Sequence, residues 1–171
     1  MTEYRAALSD LDRRLANVVR FGTVAAVDHA QALVRVDIGE LVTDWLPWAA
    51  PRAGANRVWS PPQAGEQVVV VAPGELSQGV VIGALYQDAH PANGGAGKEH
   101  RITFKDGTVV EMDTDASQLN VTVNASGDLN LKVGASVIEM NASRIRLAAG
   151  GASLVLSEAG AQMTGARVDL G

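Results

Sequence analysis

Residues 119–156 read LNVTVNASGDLNLKVGASVIEMNASRIRLAAGGASLVL, and short apolar runs alternate there with small polar residues. In each run every second residue is apolar, as in Leu129-Asn130-Leu131 and Ile138-Glu139-Met140. This alternation predicts β-strands with one apolar face, and the Gly, Ala, Ser and Asn residues between them predict tight turns. The same rhythm extends outward over residues 101–170, which are therefore predicted to form a ladder of brief strands.

The apolar side chains of this ladder are too few to make a core within one chain. Every Phe, Trp and Tyr lies at or before Phe104, while ordering the backbone costs roughly 1–2 kcal/mol per residue. An isolated ribbon would also expose unpaired strand edges. We therefore expect three copies, the smallest number that closes a prism, to intertwine as a trimeric β-helix. The side chains predicted for the trimer core are Leu119, Val121, Leu129, Leu131, Ile138, Met140, Ile145, Leu147, Leu154, Leu156, Val168 and Leu170.

Composition excludes several functional classes. The formal net charge of −5 lacks the basic excess of a nucleic-acid-binding protein. No apolar run approaches the roughly 20 residues that span a bilayer, and no signal peptide is recognisable, so synthesis in the cytoplasm without secretory export is expected. The absence of Cys removes disulfides, thiolate metal sites and thiol nucleophiles.

The N-terminal segment, residues 1–20, is predicted to be an amphipathic helix. Leu8, Leu11, Leu15 and Val18 follow one another at spacings of three or four residues, which places them on one stripe. The stripe could cover the helix's own domain, or it could dock on a neighbouring subunit of an assembly.

Residues 21–87 are predicted to form a five-stranded barrel of the OB type. The strands are expected at residues 23–27, 32–38, 41–46, 67–71 and 79–85, with a long loop between the third and the fourth. Trp45, Trp48 and Trp59 would be core or subunit-contact side chains, or a stacking platform for a ligand. Single-strand binders add a basic groove to such a platform, and only Arg52 and Arg57 lie nearby in sequence.

Residues 88–100 are predicted to be a linker, because they lack apolar periodicity and contain three Gly. His90 and His100 in this segment could form a metal-binding pair, but no second pair of ligands accompanies them. After the linker, Asp106-Gly107 is the dipeptide of a two-residue type I′ hairpin. This hairpin would open the β-helix of residues 101–171, and the chain as a whole is predicted to be all-β.

No catalytic constellation is recognisable. Glu111, Asp113 and Asp115 are spaced to alternate on one strand face, and this trio is predicted to be a solvated surface opposite the apolar row. A glycosidase would need two carboxylates across a cleft, and no cleft is implied. The Ser residues after His100 have no later His to activate them.

Four segments of the barrel carry a family resemblance. The most specific are Gly65-Glu66-Gln67-Val68 and the run GVVIGALY at residues 79–86, supported by Val34-Arg35-Val36 and Trp45-Leu46-Pro47. Together they resemble the phage baseplate assembly protein V family. The segment at residues 102–108 and the strand ladder after it are similar to the shaft of that family. Spikes of contractile bacteriocins and of type VI secretion share this plan, so the resemblance leaves a phage or a bacteriocin origin open.

The resemblance implies a trimeric, non-enzymatic central spike in the baseplate of a phage tail or tail-like particle. It implies tail hub or baseplate partners at the OB end and passage through a target cell's outer membrane on sheath contraction. Members of the family often bind iron at an apex His-x-His motif, but no His follows His100 here. We therefore expect no cofactor or metal ligands, and either a separate tip protein at the C-terminal end or a chain that is a fragment lacking its apex.

Two other functional classes compete with this interpretation. One is a glycan- or nucleic-acid-binding OB module on a trimeric β-stalk, for which Trp59 would be a contact residue. The other is a polysaccharide-degrading β-helix, which would need a carboxylate pair or an aromatic-lined groove; the ladder after Phe104 contains no aromatic residue.

Overall fold

The computed structural model describes residues 2–16 and 18–167, which divide into two compact units between Ala92 and Asn93. The first unit begins with a helix and continues with six strands. A single turn of 3-10 helix, Leu76–Gln78, precedes the last of these strands. The elements are α1 (Thr2–Ala16), β1 (Val19–Asp28), β2 (Leu33–Ile38), β3 (Leu41–Val42), β4 (Leu46–Pro47), β5 (Gln67–Val71) and β6 (Val80–Leu85).

The six strands close into a barrel. Strand β1 pairs antiparallel with β2 and β5, β5 pairs with β6, and β2 pairs with both β3 and β4. A parallel bridge between Trp48 and Val81 joins the two ends of this order, and the Ala49 N–H donates to the Val81 carbonyl at 2.7 Å. The ring closes through β4 and β6, while β3 keeps a free edge, as in the partly open barrel of an OB fold. The predicted OB-type barrel is present, with six strands instead of five because the predicted third strand is divided.

The predicted third strand, residues 41–46, is two short strands separated by Thr43–Trp45. The buried Thr43 hydroxyl accepts the Val36 N–H at 2.9 Å, and the Thr43 N–H donates to the Val36 carbonyl at 2.9 Å. Arg35 Nε also donates to the Thr43 carbonyl at 2.9 Å. A side-chain bond thus replaces regular ladder pairing at this point, and the strand bends there.

The core of the barrel consists of aliphatic side chains from alternate strand positions. Gly22 lies where β1 crosses β2 closely: a Cβ at this position would stand 2.5 Å from Val36 Cγ1 and 2.6 Å from the Asp37 carbonyl oxygen. Only glycine fits such an approach. The buried side chains of the cluster are Val24, Val34, Val36, Leu46, Val68, Val70 and Val81.

The second unit consists of two antiparallel meanders. Strands β7 (Glu99–Thr103), β8 (Val109–Asp113) and β9 (Gln118–Thr122) form a three-stranded sheet. A five-stranded sheet follows, and its order is the order of the chain. Its strands are β10 (Leu129–Val133), β11 (Ser136–Met140), β12 (Arg144–Ala149), β13 (Ala152–Ser157) and β14 (Gly160–Thr164). The predicted ladder of brief strands is confirmed for the described residues.

Two features near these boundaries differ from the sequence prediction. Strand β7 begins at Glu99, inside the segment predicted as a linker. The predicted final strand at Val168 and Leu170 lies outside the described residues. In the part of the chain that the structure describes, no helix is long and apolar enough to cross a membrane.

The type I′ prediction for Asp106-Gly107 is wrong. A type I′ turn needs positive φ at both residues, and of the two only Gly107 has it, at 88°. The Gly107 N–H donates to the Phe104 carbonyl at 3.0 Å, and the Phe104 N–H donates to the Thr108 carbonyl at 2.8 Å. The hairpin therefore has a three-residue loop that ends in glycine. The Asp106 carboxylate, which accepts from the Thr108 N–H and hydroxyl at 3.0 Å each, stabilises this wider turn.

Candidate functional site: an uncovered apolar sheet face

One face of the five-stranded sheet is apolar from edge to edge. The pairing register aligns side chains across all five strands, and alternation along each strand puts both aligned rows on the same face. The first row is Leu131, Ile138, Leu147, Leu154 and Met163. The second row is Leu129, Met140, Ile145, Leu156 and Ala161.

This apolar face is uncovered within the chain. Leu131 is 57% exposed and Met163 is 53% exposed, although both lie in the aligned row. A concavity of about 630 Å³ lies over the face and is lined by side chains of the same row. Contiguous apolar patches of this kind are rare on monomeric proteins and mark interaction surfaces.

The opposite face of the same sheet is mixed, with charged and amide side chains beside two valines. Asn130, Glu139, Arg146, Val155 and Gln162 form one aligned row on it, and Val137 lies on the same face. The Glu139 carboxylate accepts from Arg146 Nη1 at 3.2 Å and lies 3.7 Å from Arg144 Nη2. Such partly exposed ion pairs contribute little stability, but their charged groups favour contact of this face with water. The sheet is therefore two-sided in chemistry, with its apolar side open.

The three-stranded sheet has the same two-sided chemistry. One of its faces carries two aligned rows, Ile102, Val110 and Val121 in one and His100, Met112 and Leu119 in the other. Arg101 occupies the other face, where it pairs with Glu111 and, at 3.4 Å, with Glu99.

The predicted carboxylate trio is only partly correct. Glu111 and Asp113 lie on the polar face of β8, but Asp115 is not on the strand, because β8 ends at Asp113. Asp113 Oδ1 accepts the N–H groups of Asp115 and Ala116 at 3.0 Å each and so turns the chain. The pKa of Asp113 is lowered by the Ala116 N–H first, and then by the Lys98 ammonium, which lies 3.0 Å away. These contacts describe a turn and not a hydrolytic carboxylate pair.

Two asparagine side chains shape the turns between the sheet strands. Asn124 Oδ1 accepts from the N–H and hydroxyl of Ser126, and Asn141 Oδ1 accepts in the same way from Ser143. Asn141 Nδ2 also donates to Asp128 Oδ1 at 2.8 Å. The sequence analysis missed these positions, although the repeated tripeptide Asn-Ala-Ser at 124–126 and 141–143 was a visible signal.

Ten of the twelve side chains predicted for a trimer core lie on the two apolar faces. They are Leu119, Val121, Leu129, Leu131, Ile138, Met140, Ile145, Leu147, Leu154 and Leu156. The other two, Val168 and Leu170, lie outside the described residues. The strand register places four further side chains on these faces that the sequence analysis had not predicted for the core. They are Ile102, Val110, Met112 and Met163.

The tryptophans of the barrel occupy two different environments. Trp48 packs against the barrel core and contacts Trp59, with ring centroids 5.6 Å apart and ring planes at 54°. Trp59 is 60% exposed. A hollow of about 230 Å³ beside Trp48 is lined mostly by apolar residues and by Glu66. The ring of Trp45 instead faces a cation, since the Arg35 guanidinium lies 5.9 Å from its centroid.

The two histidines considered as metal ligands belong to different units. His90 lies in a turn of the first unit, where its N–H donates to the Gln87 carbonyl at 2.9 Å. His100 lies in β7 of the second unit. Among residues 2–16 and 18–167, no group of three or more His, Cys, Asp or Glu side chains is arranged to hold a metal ion.

Comparison with known proteins identifies the barrel. A family model described as the type VI secretion system/phage-baseplate injector OB domain matches residues 20–86. The chain is also similar to the spike protein of Escherichia phage P2, at 35% identity over 135 residues. That alignment covers 75% of this chain and 64% of the relative, so the chain spans less than two thirds of the relative's length. The resemblance recognised in the sequence is confirmed: residues 20–86 match the injector OB domain model, and most of the chain is similar to a phage spike protein.

Proposed function

We propose that this chain is the central spike of a contractile injection particle, built from three copies of the chain. The observation that carries the proposal is the uncovered apolar face of the five-stranded sheet, present in a chain that is 35% identical to a phage spike protein. Three such sheets, each forming one side of a prism, would turn their apolar faces toward a shared axis. The polar faces with Arg101, Glu139 and Arg146 would then meet water.

This arrangement would suit a mechanical task. Burial of apolar surface contributes about 25 cal/mol per Å², and three faces buried against each other would convert three marginal sheets into one stiff shaft. In the proposed role, sheath contraction drives this shaft through the outer membrane of a target bacterium. The barrels would attach to hub or baseplate proteins, and a separate tip protein could cap the far end. The work is mechanical and requires neither a catalytic group nor a cofactor.

The oligomeric mass of the full chain tests the proposal. Sedimentation equilibrium should give three times the chain mass of 17.8 kDa. Ile145→Asp should abolish the trimer, because it would place three carboxylates near one axis in a dry interior. The loss of hydration and the mutual repulsion of these groups would both disfavour assembly. The control is Asn130→Asp, which adds the same charge on the polar face. A monomeric wild-type chain, or a trimer that survives Ile145→Asp unchanged, would contradict the proposal.

The Trp48–Trp59 pair and the hollow beside Trp48 favour a second function, glycan binding. Such a surface could stack on a sugar ring in a glycan-binding module. The Glu66 carboxylate at the hollow would repel the phosphate backbone of a nucleic acid, so a nucleic acid is disfavoured as the ligand. Retention on a glycan column that is lost in Trp59→Ala would support this function, whereas the spike role requires no retention.

A further inference from the structure

The helix α1 carries an apolar stripe that remains exposed. Tyr4, Leu8, Leu11 and Leu15 are spaced by four, three and four residues, so they share one side of the helix. Leu11 is 51% exposed, and the other three side chains are exposed as well. The predicted helix is therefore present, but its stripe does not cover its own barrel, and Val18 lies beyond the helix end.

The outside of the barrel carries a second uncovered apolar surface, the barrel patch, formed by Val19, Phe21, Val69, Val71 and Val80. The register aligns Val19 with Val71 and Val71 with Val80, while Phe21 lies opposite Val69. These side chains point outward, because Val68 and Val70 between them point into the core. Phe21 is 59% exposed and Val19 is 49% exposed, whereas Val69, Val71 and Val80 are half-buried.

The segment between α1 and β1 is hydrogen-bonded at Val18. The Val18 N–H donates to the Leu15 carbonyl at 3.1 Å, and the Val18 carbonyl accepts the Ala72 N–H at 2.8 Å. Strand pairing begins with the next residue, Val19. Val18 is therefore bonded to the last turn of α1 and to the residue that follows β5, and with these bonds in place the helix stripe is exposed.

The two surfaces match in chemistry, and the stripe is long enough to cross all three strands of the patch. A helix laid on a sheet face is a common two-layer arrangement. The stripe from Tyr4 to Leu15 is about 16 Å long at 1.5 Å per residue, and the three strands of the patch span about 10 Å at 4.8 Å per neighbour. Pairing of helices with each other is less suitable, because the stripe covers about two heptads and coiled coils need three or four.

We propose that α1 of each copy lies across the barrel patch of a neighbouring copy. This inference rests on the proposed trimer, since three identical head-to-tail contacts close a ring. It would hold the barrels together through contacts between chains, and the same contact would bury the helix stripe and the barrel patch. A fixed ring of barrels would give a hub one rigid platform to bind.

Cysteine cross-linking of the full chain tests this contact, and the sequence contains no Cys that could interfere. One version carries Leu11→Cys and the other carries Val69→Cys, with tags of different size. The two are refolded together and treated with a short bis-maleimide, and the trimer is measured by sedimentation. The expected product is a covalent dimer with one chain of each kind, while each version alone gives no cross-linked product.

Each other outcome overturns a defined part of the argument. Cross-linking of Leu11→Cys chains alone would show that the helices pair with each other, and cross-linking of Val69→Cys chains alone would show that patches face patches. A trimer without the mixed product would overturn the helix contact and leave the spike proposal standing. A doubly substituted chain that cross-links only within itself would show that the helix covers its own patch. A monomer by sedimentation would overturn the spike proposal and, with it, this inference.

Discussion

The barrel and the strands after residue 93 both alternate aliphatic with polar residues, but they bury their apolar side chains to different extents. The barrel closes on itself, and Leu46, Val34, Val36 and Val70 reach 0% exposure. Among residues 93–167, no side chain is buried to that extent, and the best-aligned apolar rows stay open to solvent. The difference lies in closure: a sheet that curls into a barrel supplies both sides of its core, whereas an open meander supplies only one.

The largest expected effect comes from separating the two units. Residues 18–92 should fold and melt independently of protein concentration, because their core is complete. Residues 93–171 should melt at a temperature that rises with concentration, because association binds only the folded form. Calorimetry over a hundredfold range of concentration distinguishes the two behaviours. A concentration-independent transition of residues 93–171 would contradict the view that these strands need association to complete their core.

Truncation of the barrel core should be the next largest effect. Leu46→Ala removes the largest fully buried side chain and should lower the free energy of unfolding of the barrel by about 2–5 kcal/mol. The matched control is Leu41→Ala on the neighbouring strand β3, which is exposed and should change stability by no more than about 0.5 kcal/mol. Urea denaturation followed by tryptophan fluorescence measures both, and equal losses would show that the barrel core is not the closed cluster described here.

The close strand approach at Gly22 should give an intermediate effect. Gly22→Ala introduces a Cβ that meets the Asp37 carbonyl oxygen, a backbone atom that cannot rotate away, so a loss of about 1–3 kcal/mol is expected. Gly83→Ala is the control, because no atom lies within 4 Å of a Cβ at that strand position. Thermal unfolding of the two variants tests this, and a tolerated Gly22→Ala would mean that β1 and β2 separate readily.

The sequence predicted the repeated elements better than the contacts between them. Alternation located each strand of residues 118–164, and the valine-rich runs located β2, β5 and β6, since burial on one face requires a period of two. Strand β1 begins at Val19, inside the segment predicted as helix and four residues before the predicted strand. Three local features were not predictable in this way. The break at Thr43, the three-residue loop ending at Gly107 and the turn at Asp113 all depend on side-chain oxygens bonded to specific backbone groups, and such bonds leave no periodic signal.

The exposure of the helix stripe was equally invisible in the sequence. Leu8, Leu11 and Leu15 have the same spacing whether the helix covers its own barrel or a partner. The structure distinguishes these cases through the exposure of the three side chains, which the barrel of the same chain does not cover. Sidedness of the sheets was predictable from alternation, but what covers the apolar side is a property of the assembly and not of the local sequence.

The smallest expected effect concerns pH and the turn at Asp113. Its pKa is lowered chiefly by the Ala116 N–H and secondly by Lys98, so the folded chain binds the proton less tightly than the unfolded chain. The resulting stabilisation is present above the ordinary carboxylate pKa of about 3.9 and is lost as the pH falls below it through the folded value. Asp113→Asn should therefore flatten the acid limb of the stability profile of the full chain. Lys98→Met should preserve most of that limb, because the Ala116 bond remains. If Lys98→Met flattened the limb as fully as Asp113→Asn, the ion pair rather than the turn would hold the end of β8, and the polar face would contribute more to the second unit than its exposure suggests.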